Sequence, residues 1–312
     1  MKIVRDYREL DKFPHPRVVT IGNFDGVHIG HQKLISKSVK EARERNIPSL
    51  VITFYPHPRK VFARSGIKLL TTIDQKIELI EKLGVDILLI INFTEEFYEL
   101  DGREFIERIL VPYIKPAKVN IGYDFRFGRA GSGDYQLLDK MGEKYDFEVE
   151  ELPPVMIDGE IISSSSIRKY LLNGKVRKAA ALLGREYFID GKIIPGKGRG
   201  KSLGIPTANM EPYNELIPLR GVYATRFQHR EKIYPSVTNI GFNPTFEKEG
   251  KLSIETYVFY FDGNLYDEEV RLHFVERIRD EKKFSSPEEL IETIRNDIKK
   301  AKEILENEAD NG

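Results

Sequence analysis

The stretch GNFDGVHIGH, Gly22 to His31, follows directly on the apolar run Val18, Val19, Thr20 and Ile21. It holds Gly22, Gly26 and Gly30 together with His28 and His31. After it, Leu34, Ile35, Ser38, Val39 and Ala42 recur on one face of a helical pattern. The spacing predicts a strand, a tight glycine turn and the start of a helix. Glycine lets a ligand come close to the backbone, and a helix N-terminus offers free N–H groups and a positive dipole end, so such a turn suits a phosphate. His28 and His31, three residues apart, share one helical face and can donate hydrogen bonds to phosphate oxygens as negative charge builds up in a transfer reaction. Two blander readings stand beside this one. The histidines could be surface or capping residues, or a metal pair, although no third ligand lies nearby in the sequence.

Outward from that turn, strand and helix patterns alternate to about residue 184. "RVVTIG", "SLVITF", "DILLIINF" and "AKVNIG" read as strands, separated by helical stretches such as "TIDQKIELIEKLG" and "GREFIERILVPYI". Near-continuous apolar strands between helices indicate a parallel sheet covered on both faces. Ligands in such sheets sit beyond the carboxyl ends of the strands, where GNFDGVHIGH lies. After Gly184 the pattern changes to short β-branched runs with Gly and Pro: "YFIDGKII", "GVYATRF", "IYPSVTNIG" and "KLSIETYVFYF". Asp262-Gly263 marks a hairpin turn. This half reads as an antiparallel barrel or sandwich, closed by a helix that starts at "SSPEEL". The expected domains are 1–184 and 185–312.

Lys plus Arg and Asp plus Glu number 49 each, so the formal net charge is zero. That balance argues against broad nucleic-acid or membrane-surface binding. The chain has no Cys, which excludes disulfides, thiolate catalysis and Cys-ligated zinc. Its apolar runs, such as "ILLII", are too short to span a bilayer, and "MKIVRDYREL" is too charged for a secretory signal. A cytoplasmic protein is expected. The stretch "PGKGRGKSLGIPTANM" invites comparison with a P-loop, but only three residues separate Gly196 from Gly200-Lys201-Ser202, and Pro206 opposes the helix that must follow. It still reads as a phosphate cradle built on Gly196, Gly198, Gly200 and Gly204 among Lys197, Arg199 and Lys201.

Four stretches occur together and in order: GNFDGVHIGH, "FYPHPR" at Phe54 to Arg59, "GYDFRFG" at Gly122 to Gly128, and "ISSSSIR" at Ile162 to Arg168. Further on come "GIPTAN", "GVYA", "NIGFNPTF", "IETYVFYFDGNLY" and "IRDEKKF". Jointly they resemble the bacterial bifunctional riboflavin kinase/FAD synthetase family over essentially the whole chain. The resemblance implies a Rossmann-like α/β nucleotidylyltransferase domain, then a small antiparallel β-barrel with a C-terminal helix. It implies ATP-dependent phosphorylation of riboflavin to FMN in the barrel and adenylylation of FMN to FAD in the first domain, with Mg²⁺ in both and small molecules rather than nucleic acid or membrane as partners. By the same resemblance His28 and His31 act at the ATP α-phosphate, with Gly22, Phe24, Asp25, Ser164, Ser165 and Arg168 around the phosphates. Asp124 and Phe125 lie by the flavin. His57 could be a rigid loop residue, and Phe125 and Phe127 could be plain core. In the second module Gly196, Gly198 and Gly204 cradle phosphate, Thr207 and Asn209 hold Mg²⁺, Glu255 is the base and Arg279 contacts flavin. Ser165 stands where the family more often has Thr, and Tyr257 where it usually has His.

Overall fold

β2 (Arg17–Ile21) is buried along its whole length and forms the middle of a parallel sheet. Its neighbours are β3 (Ser49–Tyr55) on one side and β5 (Pro116–Gly122) on the other. The full order is β1-β4-β3-β2-β5-β6, with β1 at Lys2–Val4, β4 at Ile87–Asn92 and β6 at Glu148–Leu152. Alternate side chains go to opposite faces. Val19, Ile21, Leu50 and Ile52 join one core with Ile106 and Leu110, while Val51, Leu88 and Ile90 join another with Leu34, Ile35 and Ile80. Burial on both faces is why these strands are mostly apolar. The chain steps from β2 to β3 to β4 in one direction, then returns across β2 to β5 and β6. The carboxyl end of β2 is therefore the switch point of the sheet, where ligands bind in folds of this kind. Arg17, fully buried at the start of β2, donates to the carbonyls of Leu10, Phe13, Tyr113 and Ile114 and so fixes where the strand enters.

This computed structural model describes residues 1–62, 66–196, 205–243, 251–282 and 284–310. The chain divides into two compact units, Met1–Ser163 and Ser164–Gly312. The first unit ends in two short antiparallel strands, β7 (Met156–Ile157) and β8 (Glu160–Ile161). The second unit is a closed barrel in the order β10-β13-β12-β11-β14-β9. Its strands are β9 (Tyr187–Ile194), β10 (Ala208–Pro212), β11 (Gly221–His229), β12 (Lys232–Asn243), β13 (Lys251–Val258) and β14 (Glu269–Arg279). Closure removes the sheet edges, and the sandwich alternative falls. Inside, Thr225, Thr238 and Thr256 form a chain of buried hydroxyl hydrogen bonds across β11, β12 and β13. That chain locks the register, because a one-residue slip would turn these hydroxyls outward. A long C-terminal helix spans Pro287–Asp310. Its Ala301 and Leu305 cover Val222, Ala224, Val237 and Val275 on the barrel's outer face.

The helices Ser164–Leu172 and Val176–Leu183 group with the barrel rather than with the parallel sheet. The second packs on β14 and β9, and Leu219 N donates to Leu171 O of the first. The division by compactness thus lies ahead of Gly184. Amphipathic periodicity shows that these helices cover something and does not say which unit they cover.

Candidate functional site

In the first unit GNFDGVHIGH leaves the carboxyl end of β2. FYPHPR begins on the last residues of β3, the adjacent strand. GYDFRFG begins on the last residue of β5, the neighbour on the other side. Parallel pairing thus brings three separated stretches to one rim. The turn itself is tightly built. Phe24 and Val27 have positive φ of 48° and 40°, a conformation that costs non-glycine residues energy and persists where surroundings enforce it. Phe24 is buried, and a Cβ on Gly22 would lie 2.9 Å from its ring, so glycine is required there. Asp25 is buried too; its Oδ1 accepts from Leu70 N at 2.9 Å and Thr71 N at 3.3 Å. Phe24 and Asp25 therefore shape the turn from within.

His28 caps the helix Ile29–Glu44, its Nδ1 accepting from His31 N at 3.3 Å. A neutral imidazole that accepts at Nδ1 carries its proton on Nε2. The cap and phosphate readings are therefore compatible, since capping uses one nitrogen and leaves the donor on the other. The His28 and His31 rings stack with centroids 3.5 Å apart and 19° between planes, and Phe24 meets His31 edge-on at 5.2 Å. His31 Nδ1 is buried without a hydrogen-bond partner among the described residues. Burial, then His28 and Lys76, hold the His31 imidazole well below its usual value. Lys76, on the helix Ile73–Glu81, was not singled out from the sequence. The signal was there: it occupies the apolar face formed by Ile73, Ile77 and Ile80.

On the β5 side Asp124 is exposed and Phe125 half-buried, stacked on the buried Phe127 at 5.6 Å. Phe127 belongs to the core and Phe125 only packs against it. His57 is buried, and its Nδ1 accepts from Arg59 N. The fourth stretch crosses the division between the units. Ser164, Ser165 and Arg168 open the first helix of the second unit, with Ser165 exposed and the other two half-buried.

In the second unit Asn209, Glu255 and Asn239 stand in one row, because Glu255 is the register partner of Asn209 on β10 and of Asn239 on β12. Directly opposed residues share a face. Thr238, Ile240, Ile254 and Thr256 are buried inside, so the row faces outward. Asn239 was not singled out from the sequence, although it lies in NIGFNPTF. Ser253 Oγ donates to Glu255 Oε1 at 2.8 Å. No lysine or arginine among the described residues pairs with Glu255. A Cβ on Gly196 would lie 2.1 Å from Asn209 Nδ2, so the backbone there closes on the amide as only glycine permits. Thr207 is half-buried two residues before Asn209. Gly198, Gly200 and Gly204, with Lys197, Arg199 and Lys201, lie outside the described residues. Arg279 makes a two-pronged ion pair with buried Asp297, at 2.9 Å from Nε and 2.7 Å from Nη2, which ties β14 to the C-terminal helix.

Both arrangements suit phosphate chemistry, one on a switch-point turn and one on an oxygen-rich barrel face. On that ground the chain falls among nucleotide-dependent transferases. The family model described as FAD synthetase matches residues 10–166, and that described as riboflavin kinase matches 183–305. Proteins named bifunctional riboflavin kinase/FMN adenylyltransferase align along nearly the whole length. The one from Buchnera aphidicola is 39% identical over 98% of this chain and 99% of its own. Those from Bacillus subtilis and Escherichia coli K12 are 37% and 34% identical, over 91% and 98% of both chains. The chain belongs to the bifunctional riboflavin kinase/FMN adenylyltransferase family. A solved Streptococcus pneumoniae structure described as a macrolide-efflux protein shares the fold, with TM-score 0.87 and 27% identity over 97% of this chain and 99% of that one. Among the described residues here no helix is long and apolar enough to cross a membrane.

Proposed function

We infer that the chain makes both flavin cofactors. The barrel unit phosphorylates riboflavin with ATP to give FMN, and the α/β unit transfers AMP from ATP to FMN, giving FAD and pyrophosphate. The observation that carries this is the gathering of GNFDGVHIGH, FYPHPR and GYDFRFG at the ends of three adjacent strands, in a chain matched by both family models. We place the functional boundary at Gly184, with domains 1–184 and 185–312.

In the adenylylation an FMN phosphate oxygen attacks the ATP α-phosphorus, the bond to the β-phosphate oxygen breaks and pyrophosphate leaves. His28 and His31 donate to the oxygens that gain charge. Gly22, Phe24 and Asp25 hold the turn open to the phosphates, and Ser164, Ser165 and Arg168 contact the triphosphate. Asp124 and Phe125 take the flavin, by a polar contact and by stacking. In the phosphorylation Glu255 orients the ribityl hydroxyl and accepts its proton as the new O–P bond forms at the γ-phosphorus, while the bond to the β-phosphate oxygen breaks and ADP leaves. Gly196, Gly198 and Gly204 hold phosphate, and Arg279, oriented by Asp297, lies at the flavin edge. Thr207 and Asn209 fit Mg²⁺: they are oxygen donors beside a carboxylate, and Gly196 leaves the space at Asn209 that a side chain would fill. When bound, the ion neutralises charge on the phosphate oxygens. We propose a cytoplasmic enzyme that binds small molecules and neither nucleic acid nor membrane.

Incubation with riboflavin, ATP and Mg²⁺, followed by chromatography, is expected to yield FMN and then FAD. FMN alone would leave one unit active, and flavin bound without turnover would favour a regulator that only senses flavin.

A further inference from the structure

Lys76 is 6% exposed, beneath the turn that bears the histidines. A capping box between Thr72 and Gln75 fixes the start of its helix and so the direction of the side chain. Lys76 Nζ donates to Asn23 O at 2.7 Å and to Thr53 Oγ1 at 3.4 Å, and Thr53 Oγ1 itself donates to Asn23 O at 3.2 Å. A carbonyl of the turn is thus held by two donors, one from the helix and one from β3. Among the described residues no carboxylate forms an ion pair with Lys76. Asp25 acts on it through space, but that carboxylate is already engaged by the Leu70 and Thr71 backbone. Burial brings the Lys76 ammonium down to about 8, so at neutral pH it is mostly charged. A buried cation held by neutral oxygens favours the arrival of an anion.

The same cation acts on His31. Two imidazoles stacked at 3.5 Å beside a buried ammonium leave no room for further positive charge. The charged and titratable groups that bear on this cluster are His28 and His31 from the turn and helix, Lys76 from its own helix and Asp25 from the turn.

We propose that Lys76 is a positioning residue of the adenylylation turn: its buried ammonium pins the Asn23 carbonyl and stands as a like charge against a proton on His31. This rests on the reading of the turn as the adenylylation site. Entry of the triphosphate offsets the ammonium, and His31 meets the anion as a neutral donor.

The test is a ring-NMR titration of His28 and His31 in the full-length protein, beside the pH profile of FMN adenylylation. In Lys76→Met the His31 midpoint rises by about half a pH unit or more, because a like charge has gone. The acid limb of adenylylation moves up with it, and the rate falls about tenfold as the Asn23 carbonyl loosens. The dispersion of the backbone NMR signals of residues 1–163 in the same preparation reports folding of the α/β unit. A folded Lys76→Met protein with an unmoved His31 midpoint overturns the proposal. If that variant does not fold, Lys76→Arg decides: an unchanged midpoint supports the role of the charge, and a raised one overturns it. A parent protein that forms no FAD would overturn the functional reading instead, while the titration would still decide what Lys76 does to His31.

Discussion

Glu255→Gln keeps the shape of the side chain and its contact with Ser253 but removes the anionic base. The expected outcome is a loss of riboflavin phosphorylation of about 10²–10⁴-fold. Flavin binding weakens far less, since the lost interaction belongs to the transition state. FMN supplied directly still becomes FAD, and retained riboflavin binding by the same preparation separates a missing base from a misfolded barrel. His28→Ala and His31→Ala reverse the pattern: FAD formation falls by about 10²-fold or more while FMN still accumulates. His28→Ala also removes a helix cap, about 1 kcal/mol, so its melting temperature should fall more than that of His31→Ala. Parental FAD formation in both variants would remove this turn from the reaction.

The histidine-bearing helix is held at its other end by charge. Glu41 accepts from Lys118 Nζ at 2.9 Å and from Asn120 Nδ2 at 2.7 Å on β5, and pairs with Lys37 one turn earlier at 2.8 Å. Burial alone would raise the Glu41 carboxyl, but the hydrogen bonds from Lys37, Asn120 and Lys118 outweigh it and bring it down to about 2. A carboxyl lowered in the folded state stabilises fully above its unfolded value near 4.5 and loses that contribution as pH falls toward 2. Glu41→Gln should therefore cost on the order of 2 kcal/mol at pH 7 and flatten the acid limb of stability between those values. Denaturant melts at pH 7, 4 and 3 measure this. An acid limb as steep as the parent's would assign acid sensitivity to other groups.

For the molecule as a whole, the two compact units predict that a fragment starting at Ser164 folds and phosphorylates riboflavin on its own. A fragment starting at Arg185 keeps every barrel strand but loses the two helices that precede it. Val176, Ala179, Leu182 and Leu183, all buried, then leave β9 and β14 without part of their cover. It should melt lower and bind more apolar dye. Equal stability of the two fragments would place those helices functionally with the α/β unit.

Much of this was legible in the sequence because local spacing carries it. Apolar runs too short for a membrane, separated by helical periodicity, dictate a parallel sheet, and the glycines and histidines of GNFDGVHIGH mark its ligand end. Glu255, Asn209 and Thr207 are proposed through the stretches around them rather than through any pattern of their own. Residues whose meaning depends on distant partners stayed hidden. Asn239 joins the proposed site only because antiparallel register sets it beside Glu255. Asp25 is drawn inside by the backbone at Leu70 and Thr71, and Arg279 is claimed by Asp297. Lys76 looked like one more helix lysine until folding carried its ammonium under Asn23. The sequence by itself determined the elements and the chemistry of their ends, since both follow from neighbours a few residues apart. Only the tertiary structure decided which polar groups lost water and to whom they turned, because desolvation and charge act through space, across separations the chain does not record.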